Sequence, residues 1–213
     1  MATRALPKPA ERRRREQSAA VRREILDATE ALLVRDGYEA FSMRRLANRC
    51  GYTAPTIYHH FGDKRGLIDA LLEERFRGMV ERIRRVPASA DPVDTLRAQL
   101  AAFVAFGLAN PTHYRLFVEP RRDPDAPPPQ AAQEARRLIE STLARLENDD
   151  RLLVDEIEEA VQTIWVMLHG LISTRISDPD FAWIDDHVEL SLEILLRGLV
   201  APPGPRRGNG DGR

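Results

Sequence analysis

One cysteine in 213 residues, Cys50, leaves no disulfide framework within the chain and fits a reducing compartment, the cytoplasm. No apolar run reaches the roughly 18 residues that a membrane-spanning helix needs, so no membrane partner is expected. After Met1 the N-terminus is charged rather than apolar, and nothing there reads as a signal peptide. The catalytic signatures are missing too: there is no G-x-S-x-G, no phosphate-cradling Walker loop and no H-E-x-x-H. Five histidines and one cysteine show no metal-ligand spacing. His59 and His60 are neighbours, so on a helix they point about 100° apart and do not converge on one ion. No metal, no cofactor and no catalytic residue is expected. No period-two alternation survives a pass along the chain, which leaves an all-α fold of about nine helices.

What is present is an uneven distribution of charge. Residues 1–86 carry 19 Lys/Arg against 12 Asp/Glu, whereas residues 87–213 carry 13 against 21. A basic leading third joined to an acidic remainder suggests a nucleic-acid module attached to a domain that does not touch phosphate.

The stretch Ser42–Leu67, SMRRLANRCGYTAPTIYHHFGDKRGL, holds the most information. Ser42 is a good N-cap, and Met43, Leu46, Ala47 and Cys50 then fall on one apolar stripe. Gly51 suits the left-handed residue that ends a helix. Thr53 can cap the next helix, where Pro55 is tolerated because the first turn has no partner for its missing N–H. At about 100° per residue, Ala54, Ile57 and Phe61 cluster on the side that must be buried. Pro55, Thr56 and His59 then face outward with Tyr58 and His60 on the flanks, an acid-free surface near Arg44, Arg45, Lys64 and Arg65. A short helix with that surface, braced by another through a tight turn, is the pattern of a helix-turn-helix reader of the DNA major groove. The bland alternative is a pair of ordinary core helices with a solvated basic face.

The pattern Gly37-Tyr38, Ser42-x-Arg44-x-Leu46-Ala47 and Gly51-Tyr52-x-x-Pro55-Thr56-Ile57-Tyr58-x-His60-Phe61-x-x-Lys64-x-x-Leu67 resembles the DNA-binding domain of the TetR (tetracycline-repressor) family, without a gap from Ala20 to Leu71. The resemblance implies that Tyr58 and Lys64 contact phosphates, with Thr53 and His60 as further candidates. It also implies that Arg44, Pro55 and Thr56 lie at base edges, where His59 joins them by its outward direction. Arg44 suits bidentate pairing with guanine, and Thr56 or Pro55 suits a thymine methyl. Cys50 and Tyr52 depart from the residues commoner in the family, a difference of packing more than of reading.

Around this module, residues 1–17 with the run Arg12–Arg15 read as a disordered basic arm, either a solvated leader or a tail that adds phosphate or minor-groove contacts. Residues 18–66 form the DNA-binding domain and 67–200 a regulatory and dimerisation domain, with the helix after Asp63 as link. The proline-rich 119–130 segment is a loop, and 201–213 a disordered tail. Ile157, Val161, Ile164 and Leu168 recur at spacings of four and three, the seam of a helix pair. Val188, Leu192, Leu195 and Leu199 do so in the last helix, whose other sides also carry Ile184, Leu190, Ile194 and Leu196. A helix apolar on several sides is buried on several sides, either as a central core helix or at a subunit interface; its place near the C-terminus favours the interface of a homodimer, shared with the preceding helix.

Trp165, His169 and Gly170 form W-x-x-x-H-G, which is similar to the motif of the WHG group of TetR-type regulatory domains. Trp165 and His169 share a helix face. They are either core residues or the wall of a small-molecule pocket completed by Phe103, Phe106, His113, Tyr114 and Phe117. Gly170 in a helix interior points to close approach of another helix. The resemblance implies a dimer on a double-stranded DNA operator, with repression relieved by a small hydrophobic effector. Two alternatives stay open: an effector-independent architectural DNA-binding protein, and a small-molecule enzyme that uses the pocket.

Overall fold

The computed structural model describes residues 9–118 and 128–202. Among them the chain forms nine α-helices, and the sole β-type pairing is an isolated bridge between Leu152 and Val200. The helices are α1 (Pro9–Asp36), α2 (Met43–Cys50), α3 (Ala54–Phe61), α4 (Lys64–Arg84), α5 (Pro92–Ala109), α6 (Pro111–Val118), α7 (Gln130–Asn148), α8 (Ile157–Ser177) and α9 (His187–Leu199). Residues 1–8, the 119–127 part of the expected loop and most of the expected 201–213 tail lie outside the described residues. No described helix is long and apolar enough to cross a membrane.

Residues 9–17, read above as part of a disordered arm, are instead the first turns of α1. Residues 10–17 are all exposed, so the segment has no buried apolar stripe to betray it. Its helicity comes from strong helix formers, from Glu11 in the first turn and from an Arg12–Glu16 pair one turn apart at 3.4 Å.

The chain divides into two units, residues 1–74 and 75–213, with the boundary inside α4 rather than at 66/67. The reason is apolar: Leu67, Ile68, Leu71 and Leu72 of α4 are buried within the first unit, whose core also holds Ile25, Leu26, Leu33, Leu46 and Ile57.

In the second unit α5 is the central element, in contact with α6, α7, α8 and α9. Asp91 caps it, accepting from the Val93 N–H at 2.9 Å, and is pinned in turn by the Arg151 guanidinium at 2.8 Å. That pair holds the Asp91 carboxyl below its ordinary range, chiefly through the Arg151 hydrogen bond. Two polar residues buried between α5 and α7 satisfy each other, the Thr142 hydroxyl donating to Gln99 Oε1 at 3.0 Å.

The close helix approach expected at Gly170 occurs at a different glycine. A Cβ at Gly170 would meet nothing within 4 Å, whereas one at Gly107 of α5 would sit 2.9 Å from both Cδ1 and Cγ2 of the fully buried Ile172 on α8. Gly107→Ala therefore overpacks the α5–α8 contact, and equilibrium urea unfolding is expected to show a loss of about 1–3 kcal/mol.

Candidate nucleic-acid interface and an apolar cavity

In the first unit the two short helices are bounded by their caps. The Ser42 hydroxyl accepts from the Arg45 N–H at 3.3 Å, and Gly51, at φ 73°, closes α2 in the left-handed conformation while donating to the Ala47 carbonyl. Thr53 caps α3, accepting from the Thr56 N–H at 3.4 Å, and its hydroxyl also pairs with that of Thr56 at 2.9 Å. Asp63 caps α4 through the Gly66 N–H at 2.8 Å. Ile57 is fully buried and Phe61 nearly so, with the Arg22 guanidinium 5.3 Å above the Phe61 ring. The Tyr52 hydroxyl ties the turn to Glu24 of α1 at 2.5 Å, which raises the phenol pKa.

On the outward side of α3, Pro55 and His59 are exposed as the periodicity predicts, whereas Thr56 is less exposed than Tyr58, placed by the same periodicity on the flank. Thr53, Pro55, Tyr58 and His59 are exposed, Thr56 and His60 half-buried. Arg44 is exposed and makes no hydrogen bond or ion pair with the described residues. The neighbouring cations are engaged within the unit. Arg45 donates to the Ala40 carbonyl at 2.8 Å and pairs with Asp36 at 2.7 Å, and Arg35 joins the same carboxylate, which lowers the Asp36 pKa. The Lys64 ammonium, placed among phosphate contacts by the family resemblance, donates to the carbonyls of Phe41 at 3.2 Å and Tyr38 at 3.4 Å and lies 4.0 Å over the Tyr38 ring. It closes the turn between α1 and α2. Cys50, expected on the buried stripe, is half-buried, its thiol against the Ala47 carbonyl at 3.9 Å.

The second unit contains a cavity of about 750 Å³. Of the expected wall residues, Phe103, Phe117, Trp165 and His169 line it. Phe106, His113 and Tyr114 do not; all three are buried, Phe106 against Phe76 at 5.2 Å between ring centres and Tyr114 against His169 at 5.4 Å. Phe76 and Met79 of α4, Ile139 of α7 and Val161, Ile164, Val166 and Leu168 of α8 also line it; sequence reasoning missed Phe76 and Met79 because α4 was assigned only a linking role, and Val161, Ile164 and Leu168 because their stripe was assigned to a subunit interface. Trp165 and His169 are thus wall rather than plain core. Their rings lie 3.8 Å apart, and Phe103, Tyr114 and Phe117 surround the imidazole at 5.4–6.0 Å.

His169 is held from behind, its Nδ1 hydrogen-bonded to the Tyr114 hydroxyl, while its buried Nε2 has no partner among the described residues. Burial pushes the imidazole down to about 4 and the Tyr114 phenol up to about 12, so both are neutral near pH 7. The charged part of the lining is balanced: Arg136 pairs with Glu140 at 2.6 Å and with Glu158, Gln162 donates to Glu158 at 2.9 Å, and Arg137 donates to the Gln133 carbonyl at 3.2 Å. Among the described residues no group of His, Cys, Asp and Glu is arranged to hold a metal ion.

The residues expected at a subunit interface lie inside the second unit. Val161, Ile164, Leu168, Leu192, Leu195 and Leu199 are buried against their own chain, and Ile157 and Val188 are half-buried. The strongest apolar stripe of each helix serves the subunit's own core. A second stripe faces out: Val166 and Met167 on α8, with Gly170 one turn on, and Leu190 and Ile194 on α9, the last 59% exposed.

Two outcomes follow from these contacts. Lys64→Met removes two charge-assisted hydrogen bonds and is expected to lower thermal stability by about 1–2 kcal/mol. Because the His169 pKa is depressed below its ordinary 6.5, its contribution to stability is complete above that pH and is lost as pH falls towards about 4. His169→Gln should therefore flatten the decline in melting temperature between pH 6.5 and 4.5 relative to the parent chain.

Against these features stand the comparisons with known proteins. A family profile described as "Bacterial regulatory proteins, tetR family" matches residues 25–71, and one described as "Tetracyclin repressor-like, C-terminal domain" matches residues 96–199. The HTH-type transcriptional repressor KstR of Rhodococcus jostii (strain RHA1) is 26% identical over 178 residues, 82% of each chain. The HTH-type transcriptional activator FasR of Mycolicibacterium smegmatis is 32% identical over 99 residues, 46% of this chain and 45% of that one. The crystal structure of NalD, the secondary repressor of the MexAB-OprM multidrug efflux pump in Pseudomonas aeruginosa, superposes with a TM-score of 0.65 at 26% identity, covering 87% of this chain and 98% of that one. Both profiles describe one kind of protein, and they fall in turn on the helix-turn-helix and on the helices that enclose the cavity, so the chain belongs to the TetR family of DNA-binding transcriptional regulators.

Proposed function

We propose that the chain works as a homodimer that grips a near-palindromic duplex operator with two α3 helices and lets go when a small apolar molecule enters the cavity of the second unit. The observation that carries this reading is the coexistence, in one chain, of an acid-free exposed helix face and an aromatic-lined cavity of about 750 Å³. The volume is within the range of small-molecule sites. KstR and NalD, which match most of the chain, are both named repressors, which supports repression over activation.

On DNA, Arg44 pairs with a base edge, because it alone among the cations singled out around α3 is both exposed and without a partner among the described residues. Pro55 and His59 approach base edges from the exposed side of α3, and Thr56 offers its methyl, since its hydroxyl is taken up by Thr53. Tyr58, Thr53 and His60 supply phosphate contacts. Lys64 acts indirectly, by holding the turn beneath the reading head.

Dimerisation uses the outward stripe of Val166, Met167, Leu190 and Ile194. The open space at Gly170 lets a partner helix approach that stripe closely. Two heads so joined meet half-sites in successive major grooves. The link to the cavity is α4, one unbroken helix from Lys64 to Arg84 that supplies Leu67 and Leu71 to the first core and Phe76 and Met79 to the cavity. Coupling requires only that the occupant favour one arrangement of α4 over another.

Selection of duplexes from a random pool supplies the operator for the test. Arg44→Ala is expected to cost about 1–3 kcal/mol on that duplex and much less on a scrambled one; equal losses on both would remove Arg44 from base reading. Ile194→Glu is expected to give a monomer by light scattering, with operator affinity reduced by more than tenfold, because each half-site then binds alone. A dimer that persists in Ile194→Glu would place the interface elsewhere.

A further inference from the structure

A large share of the free energy that holds a protein on duplex DNA comes from cations set against phosphates. Around α3 most cations are engaged elsewhere. Arg22 pairs with Glu74 at 3.5 Å and covers the Phe61 ring, Arg35 and Arg45 share Asp36, Arg65 pairs with Asp69 at 3.7 Å, and Lys64 donates to two carbonyls. Among the described residues of the first unit, six exposed arginines make no hydrogen bond or ion pair: Arg13, Arg14, Arg15, Arg23, Arg44 and Arg49. Half of them stand in one run, in the first turns of α1.

That run belongs to a section of helix that buries nothing. Residues 10–19 are all exposed, and the first buried side chain after them is Ile25. Arg12 pairs with Glu16 at 3.4 Å, which leaves its three neighbours without a counter-charge. Arg12 and Arg15 lie three apart and so share a face, where like charges repel along a section that gains nothing from packing. A row of phosphates would turn that repulsion into attraction.

Position agrees with charge. The Tyr52 hydroxyl, one residue before the Thr53 cap, donates to the Glu24 carboxylate and so ties α1 to the entry of α3. At about 100° per residue, Arg13 falls about 20° from Glu24 and about three turns earlier, on the side of α1 that meets this turn. Arg12 stands in the same relation to Arg23. At about 1.5 Å per residue the run lies roughly 14–18 Å along the axis from the Glu24–Tyr52 contact, farther than the whole length of α3, about 12 Å.

We propose that the basic section of α1 is a second DNA contact, a helical arm whose Arg13, Arg14 and Arg15 lie on phosphates outside the base pairs read by α3. It adds affinity without sequence preference. The proposal rests on the assignment of α3 as the reading helix, and extends it to a separate set of phosphates served by a separate set of residues.

The test uses the full chain and an operator selected from a random pool, set within a longer duplex. The variant with Arg13→Gln, Arg14→Gln and Arg15→Gln keeps the Arg12–Glu16 pair and exchanges arginine for a residue of similar helix propensity, so its circular dichroism should match the parent's. Its affinity is expected to fall by the same factor on the operator and on a scrambled duplex, about tenfold or more at about 0.1 M salt. The slope of log affinity against log salt should become shallower by about 2–3 for each subunit bound, at about 0.9 per phosphate. Phosphate-ethylation interference should show sites outside the selected base pairs that vanish in this variant, while the sites within them stay. Lysine at the same three positions should keep the parent's slope, because a phosphate answers to charge.

An unchanged slope, or the same ethylation sites in parent and glutamine variant, would overturn the arm and leave a solvated leader. A loss confined to the operator and absent on scrambled DNA would also overturn it, by making these arginines base readers. Arg44→Ala separates such a failure from a failure of α3. If operator preference is lost there while the glutamine variant changes nothing, α3 remains the reader and the arm alone falls. A parent chain that selects no duplex from the pool would remove both.

Discussion

The rotation of α3 about its own axis is the constraint on which DNA reading depends, and Ile57 sets it. Burying an Ile and a Phe side chain is worth about 1.5–3 kcal/mol each, more than the roughly 1 kcal/mol of a single N-cap. With Ile57 wholly buried and Phe61 nearly so, turning the helix by one residue would trade apolar burial for solvent. The direction of Pro55, Tyr58 and His59 is therefore imposed from beneath. The Thr53 cap and the Gly51 turn decide only where the helix begins and how α2 leads into it. Arg45 and Lys64 tighten the same frame by spending their charge on carbonyls and a carboxylate of the α1–α2 turn.

The second unit solves the opposite problem, keeping space open in an otherwise close-packed helical body. It packs tightly where α5 meets α8, at Gly107 and Ile172, and loosely where α4, α7 and α8 face one another across aromatic rings. Large planar side chains wedged against each other, as Trp165, His169 and Phe117 are, resist collapse better than flexible aliphatic chains would. The Asp91–Arg151 pair and the Ala201–Arg151 backbone bond fasten the ends of the bundle, so the opening does not spread.

What could be read from the sequence depended on whether a residue's role left a local signature. The two short helices and their caps were legible because Ser42, Gly51, Thr53 and Asp63 each carry a chemical reason to stand where they do. The first turns of α1 were not, since exposed helix without an apolar face looks like tail. The aromatic corner of the cavity, Phe103, Phe117, Trp165 and His169, was legible, because Trp and His one turn apart on α8 suggest a wall. Phe76 and Met79 escaped because their helix had already been given another task. The stripes assigned to an interface are buried in the chain itself for a plainer reason. Spacing reveals apolar stripes but not what covers them, and the stronger stripes of α8 and α9, through Ile164 and Leu195, cover the chain's own core. Lys64 shows the same gap between motif and use: the residue stands where the family places it, while its ammonium faces carbonyls of its own unit.

The burial of the His169 imidazole in the cavity wall fixes its charge as well as its position. A ring whose proton uptake has been moved to about 4 presents one unchanging electrical state to its contents through the range a living cell visits. A ring that stays uncharged across that range adds no acid-dependent force to the cavity wall, so the shape of the wall and not the proton sets its character.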